Sequence, residues 1–124
     1  MGEFFRDAGW GIYPVMLFGA LGFLAALAHA ALPRRDRFAL AVGLAVATVL
    51  AGCLGAVVGV QTSAAGYSLA GTPPLHLFLV GLRESLNNMV AALVFATVQT
   101  LIATCGAARQ ARNENEGAAR AAAA

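Results

Sequence analysis

Charge is what this sequence has least of. Asp, Glu, Lys and Arg make up 11% of its 124 residues and 60% are hydrophobic, whereas a soluble domain carries roughly 25% charge. With a mean hydropathy of +0.74, an ordinary soluble domain is excluded and a single membrane domain is indicated. The net charge of +2 is too small to suggest a nucleic-acid partner. Lysine is absent, and all eight basic residues are Arg. Beside so much Ala and Gly, this reads as a coding bias with little chemical content. Cysteine is scarce too. Cys53 and Cys105 fall at different levels of two different apolar runs, too far apart for the ~7 Å Cα limit of a disulfide. No CxxC or Cys/His cluster supports a metal. No nucleophile–base pair or metal constellation points to an enzyme, and no cofactor is implied.

What the chain does have is apolar length. Three runs, 12–32, 38–60 and about 85–105, are each near the ~20 residues that cross a ~30 Å hydrocarbon core. Their continuity predicts helices rather than the alternating strands of a barrel. The expected fold is therefore all-α and integral to a membrane, with three transmembrane helices in residues 1–108 and a polar, Ala-rich tail over 109–124. Arginine placement sets the expected orientation. Arg34, Arg35, Arg37, Arg109, Arg112 and Arg120 fall on one side, Arg6 and Arg83 on the other. The first loop and the tail are then cytoplasmic and the N-terminus faces out, with Trp10 and Tyr13 in an outer aromatic belt and Tyr67 in the outer loop. Ala28-His29-Ala30 has the small-x-small form of a signal-peptide cleavage site. The acids near the N-terminus, the length of the run and the arginines that follow favour a retained span.

The segment 61–81 reads as an outer loop. Within it Thr72-Pro73-Pro74 is a helix start, with Thr as cap and Pro in the first turn, so 75–82 is expected to be helical. The tail is expected to continue as a frayed helix or to lack structure. In the second run Gly43, Ala47, Ala51, Gly55 and Gly59 recur at every fourth residue. Such a small-residue stripe lets another helix approach closely, in the same chain or in another copy. In the third run Glu84, Asn88, Phe95 and Gln99 share one face. Glu84 is the residue of most interest, because a carboxylate within a bilayer costs about 2.5–3.5 kcal/mol at a helix centre on insertion scales and by default marks a functional site. Two readings stand side by side. The face lines a hydrated path or meets a partner's charge, or Glu84 pairs with Arg83 at headgroup level while Asn88 and Gln99 bond across helices. His29 is expected at the membrane interface, His76 in solvent. Thr97, Thr100 and Thr104 can bond their own helix carbonyls.

Three stretches resemble the MotA/TolQ/ExbB proton-channel family. Ala51-Gly52-Cys53-Leu54-Gly55-Ala56-Val57-Val58-Gly59-Val60 is similar to the family's G-L-L-G-T-V-x-G-I segment. Gly81-Leu82-Arg83-Glu84-Ser85-Leu86 resembles its G-I-x-E-A-L segment, and Gly9-Trp10-Gly11-Ile12-Tyr13-Pro14-Val15 the opening of its first helix. The resemblance matches Glu84 to the family's pore glutamate, and Gly55 and Gly59 to its packing glycines. It implies an inner-membrane, multi-pass bacterial subunit that forms a homo-oligomeric ring, commonly a pentamer, around single-span partners of the ExbD/TolR/MotB type. Proton flow would drive work at the cell envelope, with Glu84, Asn88 and Gln99 facing the pore. The large cytoplasmic insertion of the family is reduced here to 33–37, and Ala56 and Met89 stand where the family has threonines. Those departures favour the alternative, a non-transporting three-helix membrane scaffold. A ring subunit resembling that of ATP synthase is disfavoured by three spans and a boundary carboxylate.

Overall fold

The structure, a computed structural model, describes residues 11–69 and 75–123. Among these it is all helical. Three helices, α1 (Ile12–Ala31), α2 (Arg35–Leu69) and α3 (Leu75–Ala123), run up, down and up. Each is long and apolar enough to cross a membrane.

The ends of α1 follow from local chemistry. Pro14 sits in its first turn, where a missing N–H costs nothing. At the other end Leu32 leaves the helix with φ −132° and ψ 84°, as expected for a residue whose α conformation is disfavoured by the following Pro33. The last carbonyls of α1 are orphaned. Leu32 N–H donates to Ala28 O at 3.1 Å. Arginines from both other helices supply more donors: Arg37 Nη1 reaches Ala28 O at 3.2 Å, and Arg109 Nη1 reaches Ala30 O at 3.1 Å. Cations here also oppose the negative end of the α1 dipole. The arginines of the short turn and of the tail therefore have a structural task besides any topological one.

One expectation needs correction. Residues 61–69 are not loop but the last turns of α2, which has 35 residues and is about 52 Å long at 1.5 Å per residue. Thr62, Ser63 and Ser68 bond back to carbonyls three or four residues earlier, and no described proline interrupts the helix. The tail is also helical, as an exposed continuation of α3 to Ala123. Thr72, Pro73 and Pro74 lie outside the described residues, as do Arg6 and Trp10. Tyr13 is exposed at the start of α1, and Tyr67 packs edge-on against Phe78 with ring centroids 5.9 Å apart.

The bundle is held by small residues. The α2–α3 seam is antiparallel: Gly52 lies on Ala92, Gly55 on Asn88, Gly59 on Ser85, and Gly81 on Ser63. The α1–α3 seam is parallel: Gly11 lies on Asn88, Gly19 on Phe95, Gly22 on Gln99, and Gly106 on His29 and Ala30. Along α3 the residues that meet the other helices advance in steps of three and four, the spacing of left-handed, shallow-angle packing. Close approach takes the place of a hydrophobic drive that a bilayer does not supply. Apart from Ile12 and Val15, which are buried, most large apolar side chains point outward. Leu50 and Leu54 are each 62% exposed and Leu101 is 63% exposed, whereas His29, Thr48, Ser85, Asn88 and Gln99 are buried.

Candidate functional site

One end of the bundle carries a cavity of about 170 Å³ with a partly polar lining, where all three helices meet. Gly11 at the N-cap of α1 opens it, with Gly55, Val58, Gly59, Thr62 and Ser63 from α2, and Gly81, Glu84, Ser85 and Asn88 from α3. Glycine is needed where the backbones come closest. A Cβ on Gly11 would sit 2.9 Å from Asn88 Nδ2 and 3.2 Å from the Gly55 Cα, and one on Gly55 would sit 3.3 Å from that Nδ2. The same glycines that bring the helices together thus leave the space into which Asn88 and Glu84 project.

Glu84 is half-buried in the wall of this cavity and Arg83 beside it is exposed. No ion pair joins Glu84 to Arg83 among the described contacts. Asn88 is 3% exposed, and its Oδ1 is buried without a hydrogen-bond partner. The three hydroxyls in the wall give their protons to their own helices. Thr62 donates to Val58 O and Gly59 O, Ser63 to Gly59 O at 2.8 Å, and Ser85 to Gly81 O at 2.7 Å.

Gln99 lies deeper on the same face of α3 and outside the cavity. It is 1% exposed; its Nε2 donates to Gly19 O at 2.7 Å, and its Oε1 has no partner. Ala92 against Gly52, and Phe95 against Gly19, fill the seam between Asn88 and Gln99. The face proposed from spacing therefore exists, but Asn88 and Gln99 point into the chain's own interior. Only Glu84 of the three is open to the surroundings.

The other residues singled out from sequence fall as follows. Gly55 and Gly59 contact Asn88 and Ser85. Ala47 and Ala51, with Gly55, border a groove of about 290 Å³ between α1 and α2. A Cβ on Gly43 would meet nothing within 4 Å. Gly52, which lies against Ala92 of α3, is not part of the stripe. Cys53 and Cys105 are free. Thr97, Thr100 and Thr104 each bond the carbonyl four residues earlier.

His29 differs from expectation. Near the end of α1, it is fully buried between helices rather than open to the surroundings, with both ring nitrogens unpartnered, against Gly106 and 5.4 Å from the Phe38 ring. The absence of a side chain at Gly106 makes the room, a detail that depends on the register between α1 and α3. Among the described residues no group of three His, Cys, Asp or Glu side chains could hold a metal ion. Compared with models of protein families, with curated proteins and with solved structures, the chain matches none.

Proposed function

We propose that this chain is a three-span subunit of an ion-driven, energy-transducing complex in the bacterial inner membrane, resembling MotA, TolQ and ExbB. Its N-terminus faces out and its tail is cytoplasmic. It assembles as a ring of copies around a single-span partner. The observation that carries this reading is Glu84, an acidic side chain half-buried in the wall of a cavity between the three apolar helices. Such a group is costly in a bilayer and is kept where it meets an ion, water or a partner's charge. The orientation rests on the arginines of the α1–α2 turn and of the α3 tail, which sit at the same end of the bundle. The ring rests on the family resemblance and on the open face of α2 at Gly43.

In this reading Glu84 exchanges its proton or meets the partner's charged group. Asn88, wedged between Gly11 and Gly55, fixes the cavity floor. Gln99 ties α1 to α3 and acts as a strut. The burial of Asn88 and Gln99 is also what favours the second reading, a scaffold, since both side chains serve packing between helices of one chain.

Proton flux into liposomes, with and without the co-purified partner, separates the two. Glu84→Gln keeps the side chain's shape and removes its charge. The transducing reading expects flux in the wild type and its loss in a folded, inserted Glu84→Gln. Equal flux in both removes Glu84 from the mechanism. No flux in either, with the assembly intact, supports the scaffold.

A further inference from the structure

The seam between α2 and α3 changes character at Gly52. On the Glu84 side the helices touch, with Gly52 on Ala92, Gly55 on Asn88 and Gly59 on Ser85. On the arginine side the seam opens into a groove of about 370 Å³, bordered by residues of α2 and α3 alone. Ala41, Ala45, Ala96 and Ala103 lie buried or half-buried along it, and Val46 and Leu50 stand exposed beside them. Thr100 and Thr104 also border it, and each hydroxyl donates to the carbonyl four residues earlier. Gln99 gives its Nε2 proton to Gly19 O on α1. With these donors committed inside the bundle, the groove suits hydrocarbon rather than water. Its length is that of half a membrane. From Phe38 to Leu50 α2 rises about 18 Å at 1.5 Å per residue, and one leaflet of a ~30 Å core is about 15 Å deep. A helix of a second copy packs along the full width of the core, whereas an acyl chain from one leaflet reaches only its middle.

At Phe38 the groove meets a second space of about 390 Å³, which Phe38 also borders, together with Arg35, Gln110 and Glu114. Arg35 is the first residue of α2, exposed, and free of hydrogen bonds and ion pairs among the described contacts. The first N–H groups of a helix have no acceptor within it, and its dipole favours an anion there. Glu114 takes a hydrogen bond from Gln110 Nε2 at 3.0 Å. Over the α1–α2 turn and the tail, six arginines stand against Asp36, Glu114 and Glu116, so this end of the bundle is net positive. An apolar groove one leaflet deep, opening onto a cationic helix start, has the shape and charge of a lipid with a negative headgroup.

We propose that the α2–α3 groove binds one anionic phospholipid, with an acyl chain along Ala41, Ala45 and Ala103 and the phosphate at Arg35 and the first turn of α2. The site lies within one chain, in whichever leaflet the arginine end faces. It is separate from Glu84 and does not rest on energy transduction.

The test is native mass spectrometry of the full chain in detergent, titrated with dioleoylphosphatidylglycerol or with dioleoylphosphatidylcholine, which share their acyl chains and differ in headgroup charge. Tighter, saturable binding of the phosphatidylglycerol is expected. Arg35→Gln should weaken it about fivefold, the equivalent of about 1 kcal/mol for one basic residue beside an anionic lipid, and leave the phosphatidylcholine unchanged. Arg83→Gln, at the other end of the bundle, should change neither. Ala45→Leu fills the groove and should weaken both lipids. Should Ala45→Leu lose helicity, the two arginine variants decide alone. Equal affinity for the two lipids, wild-type affinity in Arg35→Gln, or the same loss in Arg83→Gln overturns the site. A dimer of chains that Ala45→Leu dissolves, with no lipid displaced, overturns it too and gives the groove to a second copy. None of these readouts is proton flux, so the lipid site and the transducing reading fail separately.

Discussion

Two glycines of α2 should respond in opposite directions to the same small change. A Cβ built on Gly52 runs into the Cβ of Ala92, which has no torsion of its own to move aside, and lies 3.2 Å from the backbone oxygen of Asn88. Relief requires α2 and α3 to separate. Overpacking of this kind costs about 1–3 kcal/mol. A Cβ on Gly43 meets nothing within 4 Å. Both Gly→Ala changes share the gain in helix propensity, about 1 kcal/mol at most. The propensity term cancels in the difference between the two variants, which leaves the steric term. Gly52→Ala should therefore be less stable than Gly43→Ala by about 1–3 kcal/mol, with Gly43→Ala at or above the wild type. Unfolding in mixed micelles by added sodium dodecyl sulfate, followed by loss of helicity at high detergent-to-protein ratio, measures both. Equal stabilities, or a less stable Gly43→Ala, would refute the α2–α3 register on which the cavity depends.

Gly22→Ala places a Cβ about 2.7 Å from the Gln99 carboxamide and should push it off Gly19 O, destabilising the bundle by about 1–2 kcal/mol in the same assay; an unchanged midpoint would mean Gln99 does not tie α1 to α3. Gly43→Leu should leave the helicity and melting of the single chain intact while shrinking the particle seen by native mass spectrometry; an unchanged particle would place Gly43 against lipid. In a variant lacking Cys53 and Cys105, a cysteine introduced at Arg34 should label only from the cytoplasmic side, and labelling from outside would reverse the proposed orientation.

The spans were legible because apolar length is a one-dimensional signal, and α1, α2 and α3 all contain the expected runs. Their ends were less so. Residues 61–69 look like loop by polarity, yet their hydroxyls satisfy carbonyls of the same helix and nothing there breaks it. The five-member stripe of α2 does not follow a single seam of the chain, for a geometrical reason. Each step of four residues overshoots a full turn by about 40°, so four steps travel roughly 160° around the helix. Gly43 and Gly59 therefore face different ways. The face that meets α3 advances by alternating threes and fours through Gly52, Gly55 and Gly59 and includes Gly52 for that reason. The spacing from Asn88 to Phe95 to Gln99 on α3 includes a step of seven, which nearly closes two turns, and those three do share a seam. What no single-helix pattern could supply was the register between helices. That register sets Gly11 and Gly55 around Asn88, Gly22 under Gln99 and Gly106 against His29.

The distribution of polarity explains why amphipathicity was a poor guide to the interior. In water the buried face of a helix is its apolar one. Here Leu24, Leu50, Leu54 and Leu101 face outward while His29, Thr48, Ser85, Asn88 and Gln99 face in, because lipid accepts leucine as readily as a neighbouring helix does and accepts an amide far less readily. The interior is thus chosen by size and hydrogen bonding, with glycine making room for His29, Ser85, Asn88 and Gln99. The same logic limits where a second molecule can act. Asn88 and Gln99 are enclosed by their own chain, so a partner's charged group can reach Glu84 only from the open side of the cavity.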